Sequence, residues 1–514
     1  MTPLAQKVDV KASLNQLTVW ALPVIVIVAI YFSPRHLVSA QTALTVLVAL
    51  GVVVLAAKNP GRTLLVLIVL FPFQTFLLSL LYKAGLPTSL TYHLGSWKEA
   101  LAIGLVVAAV RNLLATGRRL DKLDKLAMGF IALIALYALL QPSIAPGAPS
   151  TSSVRLLGFR ETAAFVLVLF AARHAPLGPR FAQRAGNALI LVGAIVAGAG
   201  VYQAIAPASW NRFVVLTVGY PQYEQAVFHS PLLNPFDITV HGSVGGIQIV
   251  RIGSVFIDQL TLAFWLVLPF AVAFERVVRR VATPAVLLAT ILVGAALLLT
   301  QTRSAILAGL VVAVLSLQPA AGRPRHWRTR AALMLAGLAL LAVPAAFGTH
   351  LATRFADTNT TADNSSAGHL SRFSVGLQTL AHHPLGQGLG TGAGTGQRYH
   401  LLNTTIPENA YLQVGDEVGI LPMTMFIALT LTMLGYLRRA ARRSNEPLVT
   451  AAWAAGTGLA IGGLFLQTWL AFPVAWTFWG IAGAAVGLAG RSHDPIEQPR
   501  AERASIVPIA PFAG

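Results

Sequence analysis

Near its carboxyl end the chain reads IPENAYLQVGDEVGILPMTMFIALT, in which Glu408 and Asn409 lead into an apolar run long enough to cross a bilayer. Continued as one helix over 410–436, this stretch puts Asn409, Gln413 and Asp416 on one face with Glu417 on its flank. Such polar groups must turn toward protein or water. Glu408 has two compatible readings. Thr405-x-x-Glu408 with Pro407 is a capping box whose acid complements the helix dipole. A carboxylate at the mouth of a helix bundle is also placed to act as a general base.

Basic residues supply the other half of the chemistry. Arg251 opens RIGSVFIDQLTLAFW, where Arg251, Ser254, Asp258 and Thr261 recur at i, i+3, i+7 and i+10 and predict a polar stripe on one helix. On that helix Asp258 lies about 10 Å below Arg251, inside the membrane, where an acid needs a partner. Arg303 sits in the link between two apolar runs in LLTQTRSAILAGL, and Arg160 with Glu161 enters the head of another in LLGFRETAAF. Lys98 and Arg372 also fall outside the basic clusters. One such cation is explained by snorkelling or a structural ion pair. Several arginines at one membrane level suit phosphate oxygens, which the guanidinium fork matches. GQGLGTGAGTG has no Lys-Ser/Thr after it and no strand-helix unit around it, so it reads as a flexible turn at the site mouth and not as a nucleotide loop. The adjacent His382 and His383 do not make a metal site.

The elements that must position these residues follow from composition. The chain has 514 residues, 55% hydrophobic and 11% charged, with recurrent non-alternating apolar runs, so it is a polytopic helical membrane protein and not a barrel. The expected fold is an all-α bundle of about 14 transmembrane helices (12–14) over residues 1–490, with a cytoplasmic tail at 491–514. Spans are expected near 17–33, 38–57, 63–82, 97–114, 126–145, 156–172, 187–207, 254–275, 283–300, 303–319, 331–349, 410–436, 448–467 and 470–489. The polar start MTPLAQKVDVKASLNQ has no cleavable signal pattern, so the first run reads as a retained helix. Most of the 37 Lys and Arg cluster on alternate connections, as in RRLDKLDK, GRPRHWRTR and RRAARR. The positive-inside rule then places both termini in the cytoplasm and makes the net charge of +19 a topological label, not a nucleic-acid footprint. Cysteine is absent, which excludes thiolate nucleophiles and disulfides.

Two connections on the outer face are too long to be turns: 208–250 and 350–407. The first is rich in aromatics and Pro and reads as a folded lid. The second joins DTNTTADNSSAG, expected to be mobile, to HLSRFSVGLQTLAHHPLGQGLGTG, expected to include an amphipathic surface helix.

Taken in order, GFRE with its span, RIGSVFIDQLTLAFWL, QTRSAILAGL, SRFSVGLQTLAHHPLGQGLGTG and ENAYLQVGDEVGILPM resemble the O-antigen ligase and O-antigen polymerase superfamily of membrane glycosyltransferases over roughly residues 150–440. The resemblance implies a glycan linked through pyrophosphate to undecaprenol, transferred at the outer face of the plasma (inner) membrane to an acceptor sugar hydroxyl by inversion. The acceptor is a glycan or a lipid-linked glycan, and no metal, cofactor or nucleic acid takes part. It makes Glu408 the base and Arg251, Arg303, Arg160 and Arg372 the pyrophosphate ligands, with Asn409, Tyr411, Asp258 and Glu417 in support. Ligases of this family carry histidine where this chain has Glu408, which leans the reading away from a lipid A ligase and toward a polymerase or another polysaccharide transferase. The alternative is a solute transporter of the same superfamily, for example for bicarbonate. The lack of an inverted repeat and the gathering of unusual charges at one face argue against it.

Overall fold

The computed structural model describes residues 40–144, 151–228, 237–244, 247–317, 364–392, 407–469 and 471–491. The expected spans at 17–33 and 331–349, the loop residues 350–363 and 393–406, and the tail from 492 lie outside the described residues. Seven described helices are long and apolar enough to cross a membrane, and four shorter apolar helices accompany them.

In chain order the first elements are α1 (Ala40–Lys58), α2 (Pro60–Leu70) and α3 (Gln74–Lys83), the last two forming one span bent at Phe71–Phe73 around Pro72. Next come α4 (Thr88–Leu94), α5 (Trp97–Thr116), α6 (Lys122–Ile144), α7 (Ser152–His174) and α8 (Phe181–Ile205). The described part of the segment expected as a lid is folded: α9 (Pro207–Arg212), a π-helical turn at Phe213–Val218, α10 (Tyr220–Phe228), and an antiparallel hairpin of β1 (Val240–Val244) and β2 (Ile247–Arg251), with Val240 opposite Arg251. Then follow α11 (Gln259–Val278), α12 (Pro284–Leu299), α13 (Arg303–Ser316), α14 (Asn364–His382), α15 (Ala410–Val418), α16 (Ile420–Arg443), α17 (Pro447–Gly462) and α18 (Phe472–Arg491).

Two elements form the bundle's axis. α11 is apolar all round and is buried along most of its length, from Leu262 to Glu275, against α8, α12, α13 and α17. α7 spans about 34 Å at 1.5 Å per residue and packs along α18. Their approach depends on glycine: a Cβ on Gly483 would stand 2.2 Å from the Leu169 carbonyl oxygen. Small residues let helix backbones close in this way where lipid supplies no hydrophobic drive between helices. Outward-facing leucines such as Leu139, Leu191, Leu288 and Leu431 are more than 60% exposed, as a lipid-facing surface requires.

The two ends of α7 differ in character. At its C-terminal end Arg173 forks onto Asp121 and Asp124, and buried His174 meets Asp124 at 2.7 Å, tying α7 to the head of α6. Burial alone would raise the Asp121 carboxyl, but hydrogen bonding and charge from Arg173 hold it well below the usual carboxylate range. Nearby, Arg279 bonds Glu275 at 2.6 Å and Thr450 at 2.8 Å, joining α11 to α17. The opposite, N-terminal end of α7 opens onto a cavity.

Three local expectations are corrected. The run 410–436 is not one helix: Gly419, at φ +92 and ψ 177, separates α15 from α16. Arg251 to Thr261 is not one helical stripe either. Arg251 ends β2, Ser254 lies in a 3-10 turn, and Asp258 is the N-cap of α11, accepting from the Leu260 and Thr261 amides. Asp258 is thus a cap at the bundle's end and not an acid one turn after another below Arg251. Residues 364–368 of the stretch expected to be mobile begin α14.

Candidate active site

A cavity of about 930 Å³ opens at the bundle end where α3, α4, α5, the head of α7, α10, the head of α11, α14 and the α17–α18 connection converge. Its charged lining comprises Lys98, Arg160, Glu161, Asp258, Arg372 and Glu408, with Glu224 on α10.

Glu408 reaches this cavity through an unusual backbone. Asn409 is the N-cap of α15: its side-chain oxygen accepts from the Tyr411 and Leu412 amides at 2.9 Å, and its Nδ2 donates to the Leu464 carbonyl. Glu408 therefore precedes the cap, at φ +48, and does not sit in the first helical turn as the capping-box reading required. A non-glycine residue in the left-handed region carries about 1–2 kcal/mol of strain. Its carboxylate, 15% exposed, accepts a hydrogen bond from Nη1 of Arg372, which stands on α14 and is 57% exposed.

The Pro384–Gly392 loop holds α14 and α15 in this register. Gln387 and Gly388 amides donate to the carbonyls of Asp416 and Glu417, and the Gly390 amide donates to the fully buried Glu417 carboxylate at 3.2 Å. Leu389 donates to the Gln141 side chain on α6. Gly390, at φ +77, lies so close to α7 that a Cβ would stand 2.5 Å from the Val154 carbonyl oxygen. Of the run read from sequence as a flexible turn, the described residues 386–392 thus form a tightly bonded joint of α6, α7, α14 and α15. Tyr411, also buried, donates its hydroxyl to the Ala460 carbonyl at 3.0 Å and fixes α15 to α17.

On the far wall, Arg160 lies 4.8 Å from the Phe472 ring centroid and 3.4 Å from Glu99, and buried Lys98 lies 5.7 Å from the same ring. Phe472 is a shared cation–π platform for two cations facing the cavity. Among the described lining residues, then, the structure brings Glu408, Arg372, Arg160 and Asp258 together. Arg251 and Arg303 are not part of that lining. Arg251 donates to the Thr300 carbonyl and the Thr302 hydroxyl, bracing the α12–α13 turn from which Arg303 begins α13. Glu99, Phe472, Tyr220 and Glu224 carry no assignment from sequence reasoning. Only SWKEA, charges and an aromatic at a span head, offered a readable signal.

This is a multi-pass helical membrane protein with a charged cavity at one end of its bundle. Residues 288–427 match the family model described as O-antigen ligase, so this part of the chain is similar to an O-antigen ligase domain. The matched stretch includes Arg303, Arg372, Glu408, Asn409, Tyr411 and Glu417, whereas Arg160, Arg251 and Asp258 lie before it. The match gives no support to a transport role. No curated protein matches the chain.

Proposed function

We propose that this protein transfers a glycan from an undecaprenyl-pyrophosphate carrier to an acceptor sugar hydroxyl, at the outer face of the plasma membrane, as a polysaccharide polymerase or ligase-like enzyme. The observation that carries this reading is the convergence of Glu408, Arg372, Arg160 and Lys98 on one cavity. Glu408 takes the proton from the acceptor hydroxyl as that oxygen attacks the anomeric carbon. The carbon–oxygen bond to the carrier breaks with its electron pair going to the pyrophosphate, and the configuration inverts. Arg160 and Lys98 meet the developing phosphate charge from the Phe472 platform, where partial burial strengthens the attraction.

Arg372 has a double task in this reading. Bonded to Glu408, it orients the base before the acceptor arrives, and its exposed face is available to a phosphate oxygen. Arg251 is assigned the support of the α12–α13 turn and Arg303 a substrate contact from that turn. The test is turnover by the purified protein in lipid with an undecaprenyl-pyrophosphate oligosaccharide, wild type beside Glu408→Gln, following release of undecaprenyl pyrophosphate and product length. Release by wild type and a loss of about a hundredfold or more in the variant bears the reading out. A ladder of products marks a polymerase and a single product a ligase. Equal release by the variant removes Glu408 as base.

A further inference from the structure

The cavity is chemically two-sided. All the cations in its described lining, Lys98, Arg160 and Arg372, come from α5, α7 and α14. The wall formed by α4 and α10 contributes none and is built instead from Tyr92, Tyr220, Tyr223, Phe228 and Glu224. This wall is rigid. Tyr223 is buried, packs edge-on against Phe228 at 5.6 Å and against Tyr82 of α3 at 6.3 Å, and anchors α10 in a small apolar cluster with Leu78 and Val227. The half-buried Tyr220 packs against that cluster, and Tyr92, 42% exposed, joins it in the cavity lining.

We infer that the α4–α10 wall is the glycan subsite, with Tyr92 and Tyr220 as ring platforms and Glu224 as hydroxyl acceptor, and that it selects sugar units without a negative charge. The inference rests on the glycosyl-transfer reading above. The electron-rich face of an aromatic ring attracts the polarised C–H groups on the flat face of a pyranose, much as it attracts other positive edges. A carboxylate accepts hydrogen bonds at about four lone-pair positions, so Glu224 can serve sugar hydroxyls alongside its protein contacts. Asp258 adds a second negative charge to the lining while its oxygens cap α11. Glu224 on that wall, which holds no lining cation, and Asp258 at the head of α11 repel a uronate or a phosphorylated sugar and accept a neutral or amino sugar. The α4–α5 turn, Gly95 and Ser96, lies between Tyr92 and Lys98 in the lining, so the sugar wall adjoins the pyrophosphate wall as a carrier-linked glycan requires. A volume of about 930 Å³ is at the upper end of the range for ligand sites, room for more than one sugar beside a pyrophosphate.

The test is binding and not turnover. Wild type and the Glu408→Gln protein, each in lipid nanodiscs, are titrated with undecaprenyl pyrophosphate alone, with the same carrier bearing a neutral tetrasaccharide, and with one bearing a tetrasaccharide that contains a uronic acid. Tyr92→Ala and Tyr220→Leu are expected to weaken the neutral glycosylated carrier by about 2- to 13-fold while leaving the bare carrier unchanged, the change that a lost aromatic contact of about 0.5–1.5 kcal/mol corresponds to. Arg160→Gln weakens all three. Glu224→Gln narrows the preference for the neutral glycan over the acidic one. Equal weakening of bare and glycosylated carriers by the tyrosine variants, or no weakening, overturns the subsite, as does tighter binding of the acidic glycan by wild type. Failure of wild type to bind any of the three carriers overturns the transferase reading itself.

Discussion

Replacing Glu408 with glycine separates a strained functional residue from a structural anchor. Glu408 sits at φ +48, where a side-chain-bearing residue carries about 1–2 kcal/mol that glycine does not. Against that stand the ion pair with Arg372, whose partner is 57% exposed, so its value is that of a surface pair, about 0.2–1 kcal/mol, and the greater flexibility of glycine in the unfolded chain, about 0.5–1 kcal/mol. These contributions nearly cancel. Glu408→Gly is therefore expected to leave the unfolding midpoint in detergent within about 1 kcal/mol of wild type, while release of undecaprenyl pyrophosphate falls at least about a hundredfold, or about 2.7 kcal/mol of transition-state stabilisation. Arg372→Gln, which removes the same ion pair but keeps the base, is expected to lose less activity than Glu408→Gln. The assay pairs tryptophan-fluorescence unfolding with carrier release for all three variants. Destabilisation by more than about 2 kcal/mol in Glu408→Gly, with activity falling only in proportion to folded protein, would refute the reasoning and make Glu408 a structural anchor.

Gly390→Ala forces a Cβ against the Val154 carbonyl at a left-handed position, and a backbone oxygen cannot move aside as a side chain would. A loss of roughly 2–5 kcal/mol is expected, read as a lower unfolding midpoint, whereas Gly435→Ala, which meets nothing within 4 Å, has little effect. The Asp121–Arg173 clamp has a pH signature. The Asp121 carboxyl is depressed in the folded protein, so its contribution is complete above the unfolded value near about 3.9 and is lost as pH falls from there through the folded value. Asp121→Asn should thus unfold more easily than wild type at pH 7 and converge with it in acid, as thermal scans across pH would record; a constant gap refutes the linkage. Chelation with EDTA is expected to leave carrier release unchanged, and inhibition reversed by a divalent cation would contradict the metal-free mechanism.

Much of the architecture was legible because membrane helices are specified locally. A run of about twenty apolar residues must satisfy its backbone by itself, so α2–α3, α5, α6, α8, α11 and α18 can be read from hydropathy alone. Folded structure in the described part of 208–250 and the helix at α14 were likewise readable, from aromatics and from helical periodicity. Asp258 as an N-cap was also within reach, an acid just before an apolar helix, but a helical phase carried through Gly253 hid it. The break at Gly419 was missed for a related reason: apolar periodicity persists on both sides of a glycine whose φ of +92 ends one helix and starts the next.

The site itself was only partly in the sequence. Residue types singled out Glu408, Arg160 and Arg372, since charges beside apolar spans are costly unless partnered. Which of them meet was decided by packing: Arg372 and Glu408 are 36 residues apart, and their pairing depends on a glycine joint whose hydrogen bonds reach α15 and α6. The same packing put Arg251 onto the Thr300–Thr302 turn, set two cations over Phe472 from another helix, and brought Tyr92, Tyr220 and Tyr223 into the same lining. Hydropathy fixes which segments enter the membrane because each segment meets the lipid alone. Which side chains share a cavity is a property of contacts between distant segments, and only the tertiary structure sets those.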